Sequence, residues 1–473
     1  MTSLTRQLAD FVAETRYEDL PQEVAHEAQR VILDSIGCAL GGMAVEKGRL
    51  SAGLARRLGG TPESSILGTR EKVSCTGAAF ANGELINALD FDAVLLPAIH
   101  VAPFVLPPAL ALGESRGSSG RDVILAAVLG HELSARIASG MSGMRTVVKE
   151  WSERGKVEWL AVHGYSVNAF GSAAGAGKVM GLDGEGMANA LGIAGYNAPM
   201  QAGAQWHSSG TNALVKYASA GWIAQVGTTA VLLAEAGYTG DVSVLEGDHS
   251  FWRFAGSERW RPEKVARDLR QKWCILDTAY KLYPCCGIIN GSLDCFTAIL
   301  GENSLAPGDI ERVEVLLDPL SHEPLWQSRR IENEVQAQFS VPYVFAMSAL
   351  GLELGAEWQE PGLRGSPGVA EFMDKVIFAD HPDYGKAALD DPGAQMSRVD
   401  VRAGGKTYSR ETRVARGSAV PETYRLSDGE LEEKFRHNVS RILSHEGTDK
   451  AISTIWELTE LQDIAQLTTV LAG

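Results

Sequence analysis

This chain of 473 residues has no surplus of basic charge: 43 Lys and Arg stand against 59 Asp and Glu, a formal net charge of −16. Gripping a phosphate backbone needs a face rich in Lys and Arg, so nucleic acid is not an expected partner, and neither is an anionic membrane surface. Long apolar runs are missing too. The longest, such as VILAAVLG at Val123 to Gly130, fall well short of the ~18 residues that a spanning helix needs. The opening MTSLTRQLADFVAET is interrupted by Arg6, Asp10 and Glu14 and lacks the apolar stretch of a signal peptide. Cysteine is scarce, six residues scattered along the chain. In a large chain without an export signal that usage points to free thiols in a reducing compartment, and a cytoplasmic location is expected.

Several motifs are absent as well. There is no G-x-G-x-x-G between a strand and a helix, no P-loop, no G-x-S-x-G elbow and no His/Cys spacing suited to zinc. GSAAGAGK (Gly171 to Lys178) has the glycines of a phosphate loop without their spacing. The neighbouring Cys285 and Cys286 point in different directions and make a poor chelating pair. Chemistry with no cofactor and no metal is the expectation, or no catalysis at all.

What is present is a globular composition, 45% hydrophobic and 22% charged. At a prior of ~150 residues per domain, the length implies two or three domains. The stretch from Pro21 to Gly37 places proline at a helix start, keeps Val24, Ala28, Val31, Ile32 and Ile36 on one stripe, and is expected to stop at Gly37. Residues 76 to 237 are crowded with Ala and Gly, which suits tightly packed, buried helices. From about Trp273 the texture changes. ERVEVLLDP alternates like a half-buried strand, and SRVDVRAGGKTYSRETRVARG alternates on both sides of Gly404-Gly405 like a hairpin. NEVQAQFSVPYVFAMSALG, interrupted or kinked at Pro342, and VAEFMDKVIFA both read as helices, as do GELEEKFRHNVSRIL and DKAISTIWELTEL after Pro421. The expected fold is mainly α: a large helical domain built from residues 1–272 and 416–473, with a smaller α+β lid inserted at 273–415.

Some residues could do chemistry. NGELINALDFDAVLLPAIH brings Asp90, Asp92 and His100 into a proline-flanked segment leaving a helix, where a carboxylate and an imidazole are plausible acid/base partners; capping aspartates and a surface histidine are the plainer reading. Lys216, read as opening an Ala/Gly-rich helix, is a candidate for desolvation, which would lower its pKa and suit it to grip a carboxylate; a snorkelling lysine is the alternative. His163 lies in an apolar run, where a satisfied core histidine is the more common finding. Lys281 and Cys286 sit in YKLYPCCG.

Taken together and in order, DLPQEVAHEAQRVILDSIGCALGG, NGELINALDFD, VLPPALALGE, GHELSAR, GKVMGLDGEGMANALGIAG, LLAEAGYTG, YKLYPCCG and QAQFSVPYVFA resemble the MmgE/PrpD family, which includes 2-methylcitrate dehydratases, cis-aconitate decarboxylases and iminodisuccinate epimerase. The resemblance spans nearly the whole chain and implies a helical domain completed by both termini, a smaller α+β lid, an active site in the cleft between them, and a homodimer. It implies site roles for Asp90, His100, Lys216 and Lys281, and places His163 near another family histidine. The chain also departs from the pattern. Asp92, Ala93 and Val94 stand where many members have Asp-Asp-Thr, and His100-Val101-Ala102 where they have His-Pro-Ser. The lid histidine that some members carry is Cys286 here, and the one that others carry is Asn290. A thiol near lysines could have a lowered pKa and act as acid or base, or simply fill space.

The expected partner is a small di- or tricarboxylate held by Lys216, Lys281 and His100, with a proton removed beside a carboxylate by Asp90 or His100. The reading is a lyase, either dehydratase or decarboxylase. An epimerase using Cys286 opposite a second base, and a non-catalytic carboxylate-binding protein, are the alternatives.

Overall fold

The computed structural model describes residues 3–96, 99–143, 164–210, 213–391 and 393–472. Helices α1 (Leu4–Glu14), α2 (Gln22–Gly42), α3 (Glu46–Leu58), α4 (Cys75–Asn87), α5 (Ala102–Arg116), α6 (Gly120–Gly140), α7 (Asn168–Val179), α8 (Gly184–Tyr196) and α9 (Ala220–Glu235) make up the first half. Helix α2 begins behind Pro21, as its sequence predicts, but runs on past the expected stop at Gly37 to Gly42. Its glycines serve close approach rather than termination. A Cβ on Gly37 would meet the Phe435 ring at 3.1 Å, and one on Gly42 would lie 2.3 Å from the Leu85 carbonyl oxygen.

The Ala/Gly-rich region packs in the same way: a Cβ on Gly171 of α7 would come within 2.0 Å of Ser134 Oγ on α6. Without side chains at such points, helix backbones can approach until they touch. By length and composition α6 could cross a membrane, yet 83% of its most apolar stretch is buried inside the protein. It is a core helix.

A second, smaller unit follows. Helix α10 (Gly287–Asn303) precedes a sheet of strands β4 (Ile310–Leu317), β5 (Val376–Asp380), β6 (Ser397–Ala403) and β7 (Lys406–Thr412), in spatial order β5-β4-β6-β7. Strand β4 runs parallel to β5 and antiparallel to β6. The β6–β7 hairpin closes at the pair Ala403↔Lys406 around Gly404 and Gly405, which both adopt the positive φ that this tight turn demands. The helix expected through VAEFMDKVIFA is only half present. Pro367–Asp374 is helical (α13), whereas Val376–Asp380 is strand β5, because its backbone finds β4 as a partner and its Val-Ile-Phe side chains suit a pleated surface. Pro342 does interrupt its segment, giving α11 (Glu334–Phe339) and α12 (Val341–Ala349). Ser340 lies between them, and its Oγ accepts from the amide of Tyr343.

The chain then returns to the helical unit. Helices α14 (Asp428–Val439) and α15 (His445–Trp456) pack against α2, so both ends of the chain complete one helical body. A three-stranded sheet sews the two units together: β1 (Val94–Leu95) pairs with β2 (Ile99–His100) on one side and with β3 (Thr278–Ala279) on the other. All six cysteines are free thiols.

Candidate active site

The site is assembled around the end of α4. A helix leaves its last carbonyls without intrahelical partners and carries partial negative charge there, which favours cations. Beyond this terminus five consecutive carbonyl oxygens are each taken by a different side chain. Asn87 accepts from Lys216 Nζ at 2.6 Å, Ala88 from Gln338 Nε2 at 2.7 Å, Leu89 from Gln359 Nε2 at 2.9 Å, Asp90 from Lys281 Nζ at 2.8 Å and Phe91 from Lys434 Nζ at 2.7 Å. Three of these donors come from the smaller unit or the strand leading into it. Asp90 adopts a left-handed backbone with φ of 54°. Aspartate tolerates that region better than most residues, but the conformation persists only where the surroundings impose it.

The Asp90 carboxylate is buried and fully engaged. Lys216 Nζ lies 3.1 Å from Oδ1, Lys281 Nζ 2.7 Å from Oδ2, and Tyr217 Oη donates to Oδ1 at 3.1 Å. Burial pushes this carboxyl up, but the Lys216 and Lys281 ammoniums and the His100 imidazole outweigh it and hold Asp90 far below the usual carboxylate range. Lys216 is the weaker cation. Burial lowers it to about 8 against the opposing pull of Asp90, as desolvation predicts. Lys281 moves the other way: burial lowers it, but Asp90, Asp92 and Cys286 together raise it above an ordinary lysine.

Beside this group stands a second one. His100 Nδ1 lies 2.6 Å from Asp92 Oδ2, and Asn87 Nδ2 donates to the other Asp92 oxygen at 3.2 Å. The imidazole stacks on Tyr217 at 5.1 Å, and Tyr217 stacks on Tyr165 at 4.8 Å. Asp92 therefore orients the ring through Nδ1 and leaves Nε2 as the nitrogen that can meet a substrate. The sequence brings Asp90, Asp92 and His100 together without choosing between the two aspartates as the imidazole's partner; the structure makes it Asp92.

Two expectations change. Lys216 does not sit on a helix, since α9 starts only at Ala220; Lys216 and Tyr217 lie in the irregular chain before it, which lets both side chains reach back to Asp90. Cys286 is not an activated thiol. It stands at the N-cap of α10, its amide donating to Gln338 O at 2.9 Å, and burial followed by the repulsion of Asp90 pushes its thiol up to about 12. Nearby Lys281 pulls the thiol down but does not overcome these two effects. His163 lies outside the described residues. Among the described residues no group of three or more His, Cys, Asp or Glu side chains is placed to hold a metal ion.

Sequence reasoning left out Asn87, Tyr165, Tyr217, Gln338, Gln359 and Lys434 as site residues. Asn87 lies in NGELINALDFD and Gln338 in QAQFSVPYVFA, but nothing in their types marks them as binders of the Asp90–Asp92 turn.

The chain matches the MmgE/PrpD N-terminal domain over residues 6–262 and the MmgE/PrpD C-terminal domain over residues 283–458. Among curated proteins it is 24% identical to a cis-aconitate decarboxylase-like protein, oryM, of Aspergillus oryzae, over 100% of this chain and 98% of the relative. It is 28% identical to a cis-aconitate decarboxylase of Aspergillus terreus over 73% of this chain and 71% of the relative. The human cis-aconitate decarboxylase is 26% identical over 100% of this chain and 95% of its own length. With two domain matches covering most of its length in the expected order, the chain belongs to the MmgE/PrpD family.

Proposed function

We propose that this member of a lyase-type enzyme family works without a cofactor on a small di- or tricarboxylate of the cis-aconitate or 2-methylcitrate kind, removing carbon dioxide or water. The observation that carries the reading is the pairing of an oriented imidazole, His100 on Asp92, with an Asp90 carboxylate gripped by two buried ammoniums. Lys216 and Lys281 balance the two buried carboxylates, Asp90 and Asp92, and a proton on His100 leaves one net positive charge to offset a substrate carboxylate despite the acidic surface.

Asp90, held so far below its usual range, is a poor proton acceptor. Its part is to keep Lys216 and Lys281 charged and aimed, and His100 Nε2 is the proton-transfer atom. In decarboxylation the C–C bond to a carboxylate breaks, its electron pair enters the unsaturated skeleton, and a proton is delivered to carbon. In dehydration His100 takes a proton beside a carboxylate while hydroxide leaves with a second proton. The lysines stabilise the enolate-like charge in both cases. The decarboxylase names of the relatives favour the first. Two-base epimerisation loses the support it drew from Cys286 as a base, because burial pushes that thiol up to about 12.

The test is proton NMR in deuterium oxide with cis-aconitate, 2-methylcitrate, citrate and iminodisuccinate. Loss of carbon dioxide or water from one of the first three is expected. Turnover of none of them, or inversion of iminodisuccinate without loss of a group, overturns the reading.

The solvent side of α8 and α9 exposes Tyr196 (79%), Trp222 (53%) and, just beyond α9, Tyr238 (60%). Large exposed aromatics are common at subunit contacts, and a homodimer is proposed for this chain. Light scattering after size exclusion checks it.

A further inference from the structure

One buried ion pair lies outside the groups that could touch a substrate, yet it is bonded to the backbone on both sides of them. Lys434 on α14 pairs with Asp34 on α2, Nζ to Oδ1 at 2.7 Å, with side chains 9% and 0% exposed. The same ammonium donates to Phe91 O at 2.7 Å and to Lys281 O at 3.0 Å. Two of its N–H groups thus meet main-chain oxygens, while Asp34 neutralises its charge. The ammonium also lies 3.8 Å from the centre of the Phe91 ring. The other oxygen of Asp34 accepts the amide of Ala93 at 3.0 Å.

These bonds fall at telling positions. Phe91 lies between Asp90 and Asp92, Ala93 follows Asp92, and Lys281 is the cation that β3 delivers from the other side. Replacing a buried ion pair with apolar residues is often neutral for stability, so stability by itself is a weak reason for one here. What this pair does is tie the backbone of the Asp90–Asp92 turn to the backbone of Lys281, using one residue from each end of the chain.

We propose that Lys434 and Asp34 are positioning residues that hold the Asp90/Asp92 turn and Lys281 in register for proton transfer. The proposal rests on the reading of this site as a proton-transfer site. The hydrogen bonds of the pair to this region all go to main-chain atoms, those of Phe91, Ala93 and Lys281. The pair acts through main-chain atoms, so its loss displaces reacting groups without removing any of them.

The experiment compares three variants of the full chain. Lys434→Met leaves Asp34 buried and unpaired, so the neutral pair Asp34→Asn/Lys434→Met is made alongside it, with Lys434→Arg as the variant that keeps charge and donors. A displacement of about 1 Å costs on the order of 100-fold in rate. The expected result is therefore a roughly 100-fold fall in kcat for the neutral pair with KM little changed, and partial recovery in Lys434→Arg. Hydrogen–deuterium exchange of the segment 88–95 should rise in the same variants. A folded neutral pair with wild-type kcat and wild-type exchange in 88–95 overturns the proposal. Should the wild-type protein turn over no carboxylate, it is the functional reading that fails, and exchange still decides the clamp: unchanged protection refutes it, and faster exchange in 88–95 alone upholds the backbone tie.

Discussion

Replacing Lys281 with methionine tests the centre of the site. The change keeps most of the side-chain volume but removes the ammonium 2.7 Å from Asp90 Oδ2 and 2.8 Å from Asp90 O. Two effects follow. The developing negative charge of the transition state loses one of its two fixed cations, and losing one such group costs about 10²–10³ in kcat, or about 3–4 kcal/mol. The fold also suffers, because Asp90 keeps only Lys216 and Tyr217, at 3.1 Å each, while its main-chain oxygen loses its lysine. Breaking a buried pair by removing one partner costs ~3–5 kcal/mol. Retention of Lys216 puts the expectation at the lower end, about 3 kcal/mol. Turnover would be followed by proton NMR and stability by urea denaturation, with Lys281→Arg as the charge-retaining control. A folded Lys281→Met protein with kcat within about 3-fold of wild type would refute the reasoning, because no arrangement in which this cation meets the transition state predicts so small a loss.

Other outcomes follow from the same geometry. Lys216, lowered to about 8 by burial, should lose its proton as pH rises through that value, so kcat/KM should fall above about pH 8, and Lys216→Arg should remove that limb of the profile. For stability the sign is opposite: the unfolded lysine, near ~10.4, binds more protons than the folded one between the two values, so this group's contribution favours folding more as pH rises across that window, measurable by urea titration at several pH values. Cys286→Ser should change kcat by less than about 3-fold, and native protein at pH 8.5 should leave Cys286 unalkylated by iodoacetamide in a mass-spectrometric peptide map, since its thiol titrates only at about 12. His437 on α14 meets Glu357 of the smaller unit at 3.0 Å, an interaction that raises the histidine and holds the glutamate down to about 2. The histidine's contribution is fully present below its unfolded value and lost as pH rises through the raised one. At this half-exposed site it is worth under ~1 kcal/mol, and His437→Gln should abolish that small downward step in melting temperature.

Sequence by itself determined the parts whose signal is local. Alternation on either side of Gly404-Gly405 specified the β6–β7 hairpin, since a period of two and two positive-φ glycines leave little else to form. Apolar periodicity behind Pro21 specified the start of α2, and the order of motifs specified the family and four of the charged side chains that meet in the site. Desolvation of Lys216 could be foreseen from its small apolar neighbours, which pack closely enough to exclude water.

Tertiary structure decided everything that depends on a partner distant in the chain. Helix α2 passes Gly37 because the Phe435 ring needs that space, and Val376–Asp380 is a strand because β4 offers it a ladder. Lys216 lies off its helix because Asp90 draws it back, and the Cys286 thiol is silenced by burial that composition near lysines did not foretell. Asp92 becomes the partner of His100 through a two-residue strand pairing, β1 with β2, too short to leave a periodic trace. Carbonyls 87 to 91 find donors at positions 216, 281, 338, 359 and 434. An exposed-looking lysine and two ordinary glutamines acquire their roles only when helices from both ends of the chain and the smaller unit converge on one turn, because a main-chain acceptor carries no side-chain signature by which sequence could announce its donor.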